Sequence, residues 1–425
     1  MTEAVRTQRH SSLHAFRHRD FAVFWVAAAI SNGGSWMQVV AMPALLFDLT
    51  DSATWLGVAS LAALLPAVFI TPYAGALADR RSRRSILLVT QTVQMATAFA
   101  MFALYSADVL RPGVIVSLAF VAGVATGFQA SVWQSFVPLL VPADEILDAV
   151  KLNSMQFTLA RALGPAFAGV VVKTVGFGAA FFVNGATYLL VIGALVFTRP
   201  RANAVTDRSL PVGQVVLDGA RYVFSHRPLR LAVGVAFLTA ACGQSLQHIA
   251  PAVAGRIFGR PSTDNAGLLV ALGLGALVSS GFSVVVGDRL RRSRRILLGI
   301  ALFTVSVALL PISDIYAVGL VAYFVGGLAH LQIAIGLNTL VQGIVPDEWR
   351  GRAMSFYVLG VVAGIPTGAL VLGRLADAIG MRGALALNAA VLVAGGAWVV
   401  LSRGLVALDV STPEDLARLG SRSDS

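Results

Sequence analysis

Twelve long apolar stretches follow one another along this chain, and short polar loops separate nearly all of them. A membrane-crossing helix needs about 20 predominantly apolar residues, because the hydrocarbon core is about 30 Å thick and each residue adds about 1.5 Å. The pattern therefore predicts an all-α polytopic membrane protein with twelve transmembrane helices. We place the spans at roughly residues 22–47, 55–78, 86–105, 113–140, 152–172, 179–198, 229–253, 265–287, 296–313, 316–344, 353–373 and 383–402.

The composition agrees with this class of protein. Of 425 residues, 57% are hydrophobic and 12% are charged, whereas soluble chains average about 25% charged residues. Cys242 is the one cysteine in the sequence, which excludes an intrachain disulfide and a cysteine-based metal cluster. No P-loop, HExxH or Gly-x-Ser-x-Gly pattern occurs. We expect neither an enzyme nor a bound cofactor or metal.

The positive charges follow the predicted membrane topology. The net charge is +11, and 25 lysines and arginines fall on one side of the predicted spans against 6 on the other. Cytoplasmic loops of membrane proteins carry such an excess of Lys and Arg. The distribution predicts that both termini are cytoplasmic, and it explains the net charge without nucleic-acid binding.

A polar stretch divides the chain into two sets of six spans. Apolar residues recur at helical spacing within this stretch, which predicts an amphipathic linker helix on the inner membrane surface; a soluble linker helix is the alternative. Duplicated six-helix halves are typical of secondary transporters, with the substrate site between them. The predicted domains are an N-terminal bundle (1–198), a cytoplasmic linker (199–228), a C-terminal bundle (229–402) and a cytoplasmic tail (403–425).

The loop after the second span carries a recognisable motif. It reads Gly-Ala-Leu-Ala-Asp-Arg-Arg-Ser-Arg-Arg over residues 75–84. This resembles the signature loop of the major facilitator superfamily, although Ser82 stands where that family usually has a glycine. The resemblance implies a conformational latch formed by Gly75, Asp79, Arg80, Arg83 and Arg84. The arginines also set the topology. A weaker echo, Gly-Arg-Leu-Ala-Asp over residues 373–377, lies on the opposite side of the predicted membrane.

The fifth span carries a second motif and an unusual charge. Gly164, Pro165 and Gly169 resemble the motif of proton-coupled exporters in the same superfamily, in which this helix is flexible and tightly packed. Arg161 lies near the centre of the span, where an arginine costs about 2.5–3.5 kcal/mol on insertion scales. We expect it to face a cavity or a partner; an arginine satisfied by helix carbonyls is the alternative.

The superfamily resemblance implies that spans 1, 4, 7 and 10 line a central cavity. The candidate cavity residues on these spans are Asn32, Gln38, Gln129, Gln134, Gln244, Gln247, His248, His330 and Asn338. On a continuous seventh helix, Gln244, Gln247, His248 and Pro251 would share one face. Hydrogen bonding between helices is the alternative role, and we expect it for about half of these residues.

Groups that titrate within the spans are few. No acidic residue occupies the middle of a predicted span. If protons are the coupling ion, the candidate titrating groups are His248, His330, Asp48 and Asp79, since histidine titrates near neutral pH.

Several short strings together resemble the enterobactin-exporter-like branch of the superfamily. They begin at His18, Asp48, Leu217, Arg227 and Pro346. The resemblance implies a secondary active transporter that exports small amphiphilic molecules, such as siderophores, macrolides or drugs, by proton antiport and alternating access. We expect a monomer in the bacterial inner membrane, with substrate, protons and lipid as its partners. An uptake symporter and a non-transporting sensor or scaffold are the alternatives.

Overall fold

The computed structural model describes residues 12–198, 200, 212–286, 291–401 and 404–409. The described part is helical and contains no strand. The first helices are α1 (Arg19–Thr50), α2 (Ala53–Arg80), α3 (Arg83–Ser106), α4 (Pro112–Phe136), α5 (Ile146–Thr174), α6 (Phe177–Phe197) and α7 (Val212–Ser225). The later helices are α8 (Arg227–Cys242), α9 (Ala250–Phe258), α10 (Asn265–Val286), α11 (Arg292–Leu309), α12 (Tyr316–Ile344), α13 (Asp347–Ile379), α14 (Met381–Leu401) and α15 (Gly404–Leu408).

The predicted all-α polytopic architecture is confirmed. Within the described residues, ten helical segments are long and apolar enough to cross a membrane. The helices α1 and α11 complete the set of twelve. The helix α11 begins Arg-Ser-Arg-Arg, which lowers its mean hydropathy, but it packs along α12 and α14 like its neighbours.

The helices form two groups of six on either side of α7. In the first group α1 packs on α5 and α6, while α2 and α3 pack on α4. In the second group α8 packs on α13, and α12 packs on α10 and α11. The groups meet along two seams, α2 against α13 and α5 against α10. We call the end of the bundle that contains the α1–α2 turn the α1–α2 face, and the opposite end the α2–α3 face.

Glycines allow helices within one group to approach closely. On α10, a Cβ at Gly275 would collide with the backbone carbonyl of Phe324 on α12. On α12, a Cβ at Gly327 would collide in the same way with the carbonyl of Leu272 on α10. Lipid tails are as apolar as leucine, so helices in a bilayer gain stability from such close packing and not from hydrophobic burial.

The helix α7 lies in the predicted linker and rests on the start of α13. The ring of Tyr222 stacks on Trp349 with centroids 4.6 Å apart and planes 5° apart. The guanidinium of Arg352 lies 4.6 Å from the centroid of the same tryptophan ring. The position of α7 at the membrane surface stays a prediction. The linker residues 201–211, and the tail beyond residue 409, lie outside the described residues.

Replacing Gly275 by leucine should destabilise the second group. The added side chain must separate α10 from α12, and overpacking of this kind costs about 1–3 kcal/mol. We expect a lower melting temperature for the detergent-purified variant. Gly281→Leu on the same helix is the control, because a Cβ at Gly281 has no neighbour within 4 Å. Equal melting temperatures for both variants would contradict this account of the crossing.

Candidate functional site

The seventh span is broken, which corrects the prediction of a continuous helix over residues 229–253. The helix α8 ends at Cys242, a 3₁₀ turn covers Gln244–Gln247, and α9 begins at Ala250. Pro251 has no N–H to donate, and its ring clashes with the carbonyl four residues earlier, which favours a break in the helix. It stands in the first turn of α9, where that N–H is not needed. Consequently Gln244, Gln247, His248 and Pro251 do not share one helical face.

Neighbouring helices satisfy the backbone at this break. The amide of Asn388 on α14 donates to the carbonyl oxygen of Cys242 at 2.7 Å. The hydroxyl of Tyr323 on α12 donates to the carbonyl oxygen of Leu246 at 3.0 Å. Non-helical backbone is tolerated at membrane depth when protein groups complete its hydrogen bonds, and broken helices often line transporter sites.

A small cavity lies beside the break, within the second group. Its volume is about 50 Å³. Two of the predicted cavity residues, Gln244 and His330, line it together with Thr239 and Tyr357. The remaining wall is mostly apolar and consists of Ala236, Phe303, Ile333, Ala334, Leu337 and Val361. The structure therefore brings Gln244 and His330 together, whereas the side chain of Gln247 contacts the ring of its neighbour His248 at 3.1 Å.

Other predicted cavity residues take part in hydrogen bonds between helices of the first group. Gln38 on α1 accepts from Asn184 on α6 at 2.6 Å. Gln129 on α4 accepts from Gln94 on α3, and Tyr188 on α6 donates to Gln94 at 2.9 Å. These contacts match the alternative role, in which intramembrane amides hold helices together. The sequence analysis missed Gln94, Asn184 and Tyr188.

The remaining predicted cavity residues are separate from these clusters. Gln134 is exposed on α4. Asn338 accepts a hydrogen bond of 2.6 Å from Gln342, one turn further along α12. The amide nitrogen of Asn32 is buried without a hydrogen-bond partner among the described residues.

The span-5 motif lies at the boundary between the two groups. Pro165 is buried inside α5, and Gly164 packs against Trp36 of α1, where a Cβ would come within 2.5 Å of the tryptophan Cβ. A Cβ at Gly169 would lie 2.6 Å from the Cβ of Ala266 on α10. The motif thus provides the small surface on which α5 meets the second group.

A polar cluster joins the groups at the α1–α2 face. The carboxylate of Asp377, near the end of α13, accepts hydrogen bonds from the hydroxyl of Ser52 at 2.6 Å and from the backbone N–H of Thr54 at 2.9 Å. Arg256 of α9 donates to the same carboxylate at 2.7 Å and to the backbone carbonyl of Asp51. We call these residues, Asp51, Ser52, Thr54, Arg256 and Asp377, the Asp377 clasp.

The clasp has a clear electrostatic basis. The N–H groups at the start of a helix lack partners within the helix and carry partial positive charge. Asp377 of the second group accepts from two such groups at the start of α2, since the N–H of Ala53 also lies 3.0 Å from its carboxylate. Arg256 balances the negative charge of that carboxylate.

A second ionic contact lies on the same face. Lys173, near the end of α5, is 2.5 Å from the carboxylate of Asp264, which precedes α10. The carboxylate also pairs with Arg260 at 2.7 Å, and its side chain is only 5% exposed. The sequence analysis missed this contact.

The residues of the predicted latch lie at the α2–α3 face. The backbone of Gly75, Asp79 and Arg80 forms the last turns of α2, and their side chains lie outside the described part of the chain. Arg83 donates to the carbonyl of Ser135 at 3.1 Å, and Arg84 donates to the carbonyl of Val196. Both arginines therefore bind carbonyls within their own group of helices.

Comparison with known proteins agrees with this architecture. The profile of the transmembrane secretion effector family matches residues 10–415, nearly the whole chain. The chain belongs to this family of the major facilitator superfamily. It is accordingly a multi-pass membrane transporter of the efflux and secretion type, and not an enzyme.

Individual relatives and solved structures are similar along almost their full length. The chain is 25% identical to the multidrug efflux pump Tap of Mycolicibacterium fortuitum, covering 89% of this chain and 94% of that one. It is 22% identical to the staphyloferrin A transporter of Staphylococcus aureus, covering 82% and 87%. The nucleoside transporter NupG has the same fold, with a TM-score of 0.73 at 12% identity over 92% of this chain and 98% of that one.

Removing the carboxylate of Asp377 should loosen the α1–α2 face of this transporter. We expect Asp377→Ala to expose the seam between α5 and α10, because the start of α2 and Arg256 both lose their partner. The measurement is the rate at which a maleimide labels Ala266→Cys in a Cys242→Ala background. Ala266 is only 4% exposed. A cysteine at this position should therefore be labelled slowly when Asp377 is present and several-fold faster in the Asp377→Ala variant.

The matched control is Asp314→Ala. Asp314 pairs with Arg382, but both residues belong to the second group of helices, so breaking their contact leaves the seam intact. Equal acceleration of labelling in both variants would contradict a specific role for the clasp.

Proposed function

We propose that this transporter exports small amphiphilic molecules across the bacterial inner membrane by alternating access, with protons as the coupling ion. The observation that carries the proposal is the Asp377 clasp. It joins the two six-helix groups at one face through a few exchangeable polar contacts. Opening the clasp requires only that water replaces these polar contacts, so the α1–α2 face can open without the unfolding of a helix.

The internal repeat supports a two-state cycle. Gly373 packs against the first residues of α2, four positions before Asp377 completes the clasp. Gly75 and Asp79 have the same spacing at the other end of α2. We propose that Asp79 and the basic residues after it hold the α2–α3 face in the opposite state of the cycle. Asp377 and Asp79 would then stabilise alternate conformations.

The direction of transport rests on topology and on the relatives. The excess of lysine and arginine predicts that the α2–α3 face and both termini are cytoplasmic. The Asp377 clasp would then close the outer face, and export would release substrate when it opens. The relative named for multidrug efflux supports export over uptake. Proton coupling is proposed because the described residues contain no nucleotide-binding motif that could drive transport.

We expect the protein to move its substrate into inverted membrane vesicles. In that orientation an exporter accumulates its substrate, so we expect inverted vesicles with an acidic interior to take up a fluorescent amphiphile or a macrolide, and a protonophore to abolish the uptake. Accumulation in right-side-out vesicles instead would identify an uptake symporter. Absence of transport in both orientations, with retained binding to a partner protein, would favour the sensor or scaffold.

Asp79→Asn should impair this uptake without removing the protein from the membrane, because the amide lacks the charge that a latch requires. We expect at least a tenfold slower rate in vesicles matched for protein content. Asp108→Asn is the control, since Asp108 lies in an exposed turn with φ of 60° that asparagine also adopts readily. An unchanged rate in Asp79→Asn would contradict the latch.

A further inference from the structure

One basic side chain lies deep in the membrane at the boundary between the groups. The residue after it, Ala162, packs against Gly273 of α10, where a Cβ would approach within 3.1 Å. Arg161 therefore projects from α5 beside the seam and not from the far side of its own group. Its side chain is exposed in the absence of lipid.

Arg161 lies close enough to the imidazole of His330, on α12 of the second group, for its charge to act on that ring. His330 in turn lines the small cavity that also contains Gln244 and Tyr357. The guanidinium and one residue of the cavity wall are thus near each other across the boundary between the groups.

No carboxylate of the described residues pairs with this guanidinium. The ion pairs found among the described residues involve other side chains. Arg161 also has no hydrogen bond to a described residue that would replace such a pair. An arginine at this depth is unfavourable on insertion scales, so it persists where an external anion or water neutralises or solvates its charge.

We propose that Arg161 binds the anionic group, most simply a carboxylate, of an amphiphilic substrate held between the two groups. A guanidinium offers two parallel donors that match the oxygens of a carboxylate. Gln244, His330 and Tyr357 line the small cavity near the charge, and its volume of about 50 Å³ admits only a small part of the molecule, so the rest would lie between the two groups. The inference rests on the proposed export function and narrows its substrate class from amphiphiles in general to anionic ones.

The test compares two probes that differ in one charge. Dansyl-phenylalanine carries a carboxylate, and its methyl ester does not. Binding of each to the purified protein is measured by dansyl fluorescence in nanodiscs of phosphatidylcholine. We expect the acid to bind at least tenfold more tightly than the ester. Arg161→Gln should abolish that preference, and Arg161→Lys should retain most of it because the charge remains.

Two controls distinguish binding at Arg161 from binding to any exposed arginine and from binding of lipid headgroups. Arg111→Gln removes an exposed arginine at the start of α4, and it should leave the preference for the acid unchanged. Anionic lipid headgroups are the other source of such a group, so binding is repeated after addition of phosphatidylglycerol. A site for a small molecule keeps its preference, whereas loss of the preference would assign the site to lipid and overturn the proposal.

The remaining outcomes distinguish this inference from the export function. Equal binding of acid and ester to the native protein, or binding of neither, would overturn the anionic site. Vesicle uptake of neutral amphiphiles would meanwhile leave the export proposal standing. Conversely, a preference that depends on Arg161 in a protein that moves neither probe would support the site and count against export. The melting temperatures of both Arg161 variants are measured together with binding. Loss of the preference for the acid supports the site only if the variants melt at the native temperature. If both variants lose the preference because they are unfolded, the proposal is overturned.

Discussion

The bilayer gives the backbone no partner for its hydrogen bonds, and this constraint organises the whole molecule. Every backbone N–H and C=O at membrane depth must find its hydrogen-bond partner within the protein. An α-helix provides these partners within one segment of the chain. The broken seventh span shows how this requirement is met where a helix is interrupted. Its helix stops before Pro251, and Asn388 and Tyr323 from two other helices complete the carbonyls that the break releases. An irregular segment is thus available beside the cavity without an unsatisfied backbone.

The same solvent explains how the two groups adhere without becoming fixed. Apolar side chains gain little by leaving lipid for protein, so the seams depend on close packing of small residues and on polar contacts at the ends. Gly169 against Ala266 is an example of the first, and the Asp377 clasp is an example of the second. Contacts of these kinds are individually modest, and water can replace the polar ones at the membrane surface. Such contacts would allow the groups to separate repeatedly, as the proposed alternating access requires.

Polar side chains inside the membrane divide between two tasks. Gln38 and Gln129 hold helices of the first group together, whereas Gln244 and His330 line a cavity in the second. Glutamine occurs in both sets, so residue type alone did not separate them. Of the nine candidates, Gln38 and Gln129 contact polar side chains of other helices, fewer than the half that we expected. The clasp residues were missed as a site because they lie far apart in the chain, and the motif over residues 373–377 does not reveal the partners of Asp377.

The sequence by itself predicted the all-α polytopic fold and the family, which are confirmed, and it also predicts the direction of the spans and the division into two halves. Those features depend on local hydropathy, on the side of the membrane that carries arginine, and on short motifs such as the one over residues 75–84. Only the tertiary structure decided that Asp377 completes the start of α2, that Lys173 pairs with Asp264, and that the seventh span is interrupted. Electrostatic and hydrogen-bond partners are set by distance in space, and these partners come from helices far apart in the chain.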